Sequence, residues 1–138
     1  MARTAFIEQT GGPEVIQWAD RDLPPPGEGE VRVRHTAVGL NFIDTYYRSG
    51  LYKAPLPSGL GSEAAGVVEA LGAGVTAFAP GDRVVTYGPA VGAYATERNV
   101  VASSLFKIPD AIDDEIAAAS FLKGGTAEYL VERWGRVL

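Results

Sequence analysis

The sequence has no cysteine, a single histidine and a single methionine. Without thiols there can be no disulfide and no thiolate metal site, which is compatible with a reducing cytoplasm. There is no basic cluster either. The 12 basic and 17 acidic residues are spread along the chain for a net charge of −5, which argues against a nucleic-acid partner and favours solubility. No apolar run approaches the roughly 20 residues that cross a bilayer. The segment Met1 to Glu8 lacks the apolar stretch of a secretory signal. These absences lead to the expectation of a soluble, cytoplasmic protein.

What is present is one domain's worth of chain, 138 residues, 46% hydrophobic and 21% charged, enough for a core without staples. Seventeen glycines and nine prolines predict many turns and short strands. Arg3 to Glu8 and Val15 to Asp20 read as strands around a Gly11-Gly12-Pro13 turn. Leu23 to Gly27 is a stiff proline connector. Glu30 to Val38 alternates, with Val31, Val33, His35 and Ala37 on one face and Arg32, Arg34 and Thr36 on the other, as in a strand with one wet face. A helical turn over Asn41 to Arg48, ended by Ser49-Gly50, precedes a loop over Pro55 to Gly59. Further strands are expected at Ala64–Leu71, Arg83–Tyr87, Gly92–Val101 and Leu105–Ile108.

After Pro109 the pattern changes. An aspartate cap, an acidic first turn and an alanine-rich body predict a helix through Leu122, with Gly124-Gly125 ending it. Thr126 would cap a second helix running through Trp134, closed by Gly135. The chain is therefore expected to be mainly β with terminal helices, a small and partly open β-barrel. Repeats and low-complexity segments are absent.

Two glycine patterns, Gly59-x-Gly61-x-x-Ala64 and Gly72-x-Gly74-x-x-Ala77, match a loose dinucleotide fingerprint. A true one follows a strand and opens a helix. The first follows two prolines and leads into Val67-Val68, and the second leads to Pro80-Gly81, so both read as turns. His35 has no catalytic partner in the sequence and reads as a half-buried structural histidine.

The run Asn41-Phe42-Ile43-Asp44-Thr45-Tyr46-Tyr47-Arg48-Ser49-Gly50-Leu51-Tyr52 is the richest in chemistry. Asn41 offers a donor and an acceptor. Tyr46, Tyr47 and Tyr52 supply flat apolar faces with polar tips, suited to planar ligands such as quinones. Asp44 could hold a tyrosine or a backbone group. A helical turn whose tyrosines merely pack is the competing reading.

Taken with Gly59 to Gly66, Pro80-Gly81-Asp82-Arg83-Val84 and Phe121 to Thr126, this run resembles the substrate-side domain of the zinc-independent quinone oxidoreductases. That family is the zeta-crystallin-like branch of the medium-chain dehydrogenases, and the resemblance extends from about Arg3 to Leu130. It implies a GroES-like barrel and hydride transfer from NADPH to a quinone or a related conjugated carbonyl. It implies that Asn41, Tyr46 and Tyr52 border the nicotinamide and substrate cleft, with Asp44 and Glu63 as support. Lys123-Gly124-Gly125-Thr126 is similar to the family's Lys-Gly-Leu-Thr, which makes Thr126 and Lys123 candidates for cofactor contact. Gly125 departs from the usual leucine.

Zinc members of the superfamily carry a cysteine near the position of Asn41 and a histidine where this chain has Ser62. Both are lacking here, so a metal site is not expected. The sequence ends where the family's dinucleotide-binding domain would begin, and residues 131–138 differ from the usual continuation. Residues 1–138 are thus expected to form the substrate-side domain without a Rossmann partner, nearly inactive alone and binding NADPH weakly. The terminal Gly135 to Leu138 could be a strand returning to the barrel. Two other readings stay open: a barrel scaffold that self-associates through its exposed former interface, and an enoyl or alkenal reductase of the same superfamily.

Overall fold

A computed structural model describes residues 1–88 and 90–135. Two antiparallel sheets form the body. Strands β1 (Ala2–Ile7), β2 (Gln17–Arg21) and β4 (Ser58–Gly59) make a three-stranded sheet ordered β2-β1-β4. Strands β3 (Glu30–Gly39), β5 (Glu63–Leu71), β6 (Arg83–Tyr87), β7 (Glu97–Val101) and β8 (Leu105–Lys107) make a five-stranded sheet ordered β7-β3-β5-β6-β8. The sheets are stitched by a Thr4–Ala95 bridge, by the Ala5 N–H to the Tyr94 carbonyl at 2.8 Å and by the Thr96 N–H to the Arg3 carbonyl at 2.9 Å. The result is mainly β and open rather than a closed barrel.

The alternation of β3 holds in its first half, with Val31 and Val33 buried and Arg34 exposed, but a register shift between His35 and Ala37 turns Ala37 away from the valines, and it packs on the α2 side instead. Those valines join Val68, Val84, Val100 and Leu105 in the inner core. Ala65, Val85 and Ile108 pack on the opposite side against Ala117 and Ala118 of helix α2 (Asp114–Glu128). Small residues at 117 and 118 let this helix lie close on the sheet. Gly39 extends the same logic, since a Cβ there would collide with the Ala118 carbonyl and the Glu63 carboxylate. Asp114 anchors the start of α2 through Arg83 at 2.7 Å and the Thr36 hydroxyl at 2.6 Å.

Three expectations are corrected. Gly124-Gly125 does not end α2; the helix passes through both and continues as wider π-type turns over Tyr129–Trp134. Thr126 therefore lies inside a helix and caps nothing. The expected strand at Gly92–Val101 is regular only over Glu97–Val101. Of the expected returning strand, Gly135 follows the π-type turns directly, and residues 136–138 lie outside the described residues. No helix among the described residues is long and apolar enough to cross a membrane.

Candidate active site

Helix α1 (Phe42–Ser49) begins beyond the end of β3, with Asn41 as its extended N-cap. The Asp44 carboxylate reaches back to accept the Asn41 N–H at 3.0 Å, the reciprocal half of a capping box. That bond fixes the start of the helix and holds Asp44 inward. Asp44 also accepts the Ser62 hydroxyl at 2.9 Å and the Tyr94 phenol at 2.6 Å. Three donors thus meet at one buried carboxyl group, as the satisfaction of buried polar atoms requires. Tyr94 reaches it because Gly61, with φ of 84°, leaves room for its ring; a side chain at 61 would strike it. Burial, and then the bond to Asp44, hold the Tyr94 phenol above its ordinary range.

Glu63 opens β5 opposite Gly39 on one side and Tyr87 on the other, and its side chain is 0% exposed. Its Oε1 accepts the Leu122 N–H of α2 at 2.7 Å, and its Oε2 accepts the Asn41 Nδ2–H at 2.7 Å. The other end of that amide is also engaged, because the Lys123 ammonium donates to Asn41 Oδ1 at 2.9 Å and lies 3.6 Å from Glu63 Oε2. Asn41 is therefore clamped between a buried carboxylate and a half-exposed cation. The charge of Glu63 and that of Lys123 are offset across one neutral amide.

The tyrosines of α1 form a separate layer. Tyr46 packs on Phe42 and Tyr52 with ring centroids 5.5 and 5.3 Å apart, and Tyr47 packs on Tyr52 at 5.8 Å. Beside Lys123, a groove of about 360 Å³ is lined by Tyr87, Phe121, Leu122, Gly125, Thr126 and Tyr129. Burial first, then the phenol of Tyr47 and the carboxylates of Asp44 and Glu63, raise the Tyr87 phenol.

Of the residues singled out from sequence, Asn41, Asp44, Glu63 and Lys123 meet in one hydrogen-bonded set. Tyr46 and Tyr52 pack ring on ring with each other, outside its hydrogen bonds among the described residues. Thr126 lines the adjoining groove. His35 is structural, with Nδ1 2.7 Å from the Ala95 carbonyl. No group of three or more metal-ligating side chains that could hold an ion occurs among the described residues. Tyr94 and Tyr87 were missed. Tyr87 could have been found as the strand neighbour of Glu63, whereas Tyr94 carries no spacing signal.

Residues 27–138 match the family described as Alcohol dehydrogenase GroES-like domain. A quinone oxidoreductase of Pseudomonas aeruginosa is 53% identical over 134 residues, covering 96% of this chain and 41% of that protein. The solved structure of the Escherichia coli quinone oxidoreductase, complexed with NADPH, superposes with a TM-score of 0.92 at 48% identity, covering 95% of this chain and 40% of that one. A 2-haloacrylate reductase of a Burkholderia species is 44% identical over 144 residues, covering 99% of this chain and 43% of that protein. The chain spans about two fifths of the length of these relatives.

Proposed function

The chain belongs to the alcohol dehydrogenase GroES-like domain family, and from that premise we propose that it is the substrate-side domain of an NADPH-dependent quinone oxidoreductase. The observation that carries this reading is the Asn41 clamp, a buried amide bonded through both its nitrogen and its oxygen, at the N-cap of the helix that carries Tyr46 and Tyr47.

The residues present fit one end of the cofactor. The groove of Tyr87, Phe121, Leu122, Gly125, Thr126 and Tyr129 offers flat apolar walls for a nicotinamide ring, with the Thr126 hydroxyl among them and the Lys123 charge next to them. A cradle for the pyrophosphate needs a parallel strand–glycine loop–helix unit. Every strand pair among the described residues is antiparallel. When bound, NADPH supplies a hydride for a conjugated acceptor. The chain's own part is positional. Tyr46 and Tyr52 shape the acceptor cleft, Asn41 presents a fixed amide at its floor, and Asp44 and Glu63 hold that floor rigid. Thr126 and Lys123 serve the cofactor side.

Alone, the chain binds NADPH weakly and turns over far below the enzyme median of about 10 per second. The test is NADPH oxidation with a quinone panel by a protein that carries this domain together with a dinucleotide-binding domain. Loss of quinone reduction in Asn41→Ala, with the fold retained, supports the reading; full activity in that variant refutes it.

The likeness to 2-haloacrylate reductase favours a second acceptor class, conjugated carbonyl compounds. A panel of quinones and enoates separates the two. The terminal helix exposes Ile116, Tyr129, Leu130, Val131 and Trp134, which supports self-association of the chain as a module; its mass in solution tests this.

A further inference from the structure

Helix α2 runs unbroken through Gly124 and Gly125, although glycine is among the poorest residues for a helix interior. The Tyr129 N–H donates to the Gly125 and Thr126 carbonyls, so the helix is closed across this stretch. Its backbone has no need of glycine at 125. The φ of Gly125 is not in the left-handed region, and a Cβ built there would meet nothing within 4 Å apart from the adjoining chain. Alanine or leucine would favour the helix.

What glycine provides at 125 is space, on a defined face. Phe121, Leu122, Gly125, Thr126 and Tyr129 all line the groove beside Lys123, and their spacing is that of one face of a helix. Gly125 lies four residues, about one turn, from both Phe121 and Tyr129. Its missing side chain therefore leaves a notch between two aromatic residues. Gly124, one position round the helix, is not part of this lining. The start of the notch is held firmly. Phe121 packs on Phe106 with ring centroids 5.1 Å apart, and the Leu122 N–H donates to the buried Glu63 at 2.7 Å.

Hydride transfer requires the acceptor ring to lie against the nicotinamide ring. With the nicotinamide in this groove, the acceptor meets the same walls, and the notch widens the place where it does so. We propose that Gly125 is a specificity-determining residue, whose missing side chain lets the acceptor extend a second fused ring over α2 between Phe121 and Tyr129. This assignment rests on the proposed function and names its acceptor class: quinones of two or more fused rings in preference to one.

The test uses the 138-residue chain, and the same chain continued by a dinucleotide-binding domain, each also as Gly125→Leu. The probes are 1,4-naphthoquinone and 1,4-benzoquinone, and the chain has no cysteine to add to either. In the ¹⁵N-labelled chain, naphthoquinone should move the Gly125 and Thr126 amide resonances, and in Gly125→Leu the Thr126 resonance should stay still. In the longer protein, the ratio of kcat/KM for naphthoquinone to that for benzoquinone should fall at least about tenfold in Gly125→Leu. The unfolding midpoint of the Gly125→Leu chain should rise. A lowered midpoint means that the backbone needs glycine and overturns the proposal, as do groove amides that do not move or a Thr126 response equal in both chains. A longer protein that reduces both quinones with an unchanged ratio overturns the role of Gly125 alone. One that binds NADPH and reduces neither quinone overturns the proposed function, and the role of Gly125 with it.

Discussion

The Lys123 ammonium donates to Asn41 Oδ1 at 2.9 Å across 82 residues of sequence, and the same amide donates from Nδ2 to the buried Glu63. Helix α2 and the start of α1 are thereby locked together through one side chain.

Truncating that side chain should be felt as lost stability. Asn41→Ala leaves Glu63 Oε2 without its nearest donor and Lys123 without its acceptor. The expected loss is about 2 kcal/mol, read from urea unfolding. The conservative Asn41→Asp should be no better, because it sets a second carboxylate 2.7 Å from Glu63.

The second carboxylate is a separate test. Tyr94→Phe removes one of three donors from Asp44 without changing shape, and should cost about 1.5 kcal/mol. Under the proposed function it should also lower quinone turnover in a protein with its cofactor domain, because Asp44 orients the start of α1.

The contact of β3 with α2 makes Gly39 intolerant. Gly39→Ala should destabilise by about 1–3 kcal/mol through forced shifts of the Ala118 backbone and Glu63. A neutral result in thermal unfolding would mean that α2 sits further from the sheet.

His35 supplies a pH test. Burial first, and then the Arg98 charge, lower its pKa from 6.5 to about 4, so the folded chain keeps it neutral at pH 7. Between those two values the unfolded chain binds a proton that the folded chain does not. Stability should therefore fall as pH is lowered through that window and level off below it. NMR titration of the imidazole checks the midpoint, and His35→Gln should flatten that part of the stability profile.

Much of this was legible in the sequence. The alternation over Glu30 to Val38 and the Asn41-to-Gly50 helix signals appear as strand β3 and helix α1 within a residue or so. Gly124-Gly125 misled because glycine disfavours helix interiors. Here Ala117 and Ala118 pin α2 to the sheet, and Glu63 accepts the Leu122 N–H just before the pair. Tyr94 was illegible because its bond to Asp44 spans 50 residues and is made from an irregular segment. Gly92 to Ala95 looked like the beginning of a strand, yet apart from the single Thr4–Ala95 bridge its backbone bonds bind it to the Leu60-Gly61 loop and to β1. The charge-paired set around Asn41 was foreseen as residues but not as a clamp, since nothing in the spacing joins 41, 63 and 123.

The most direct test of the functional account compares two proteins in NADPH oxidation with a quinone acceptor. One is the 138-residue chain. The other is the same chain continued by the dinucleotide-binding domain of the Escherichia coli quinone oxidoreductase. The account predicts turnover approaching about 10 per second for the joined protein, lost in its Asn41→Ala variant, and almost none for the chain alone. Comparable turnover by the chain alone, or a folded, NADPH-binding fusion that reduces no quinone, would contradict it.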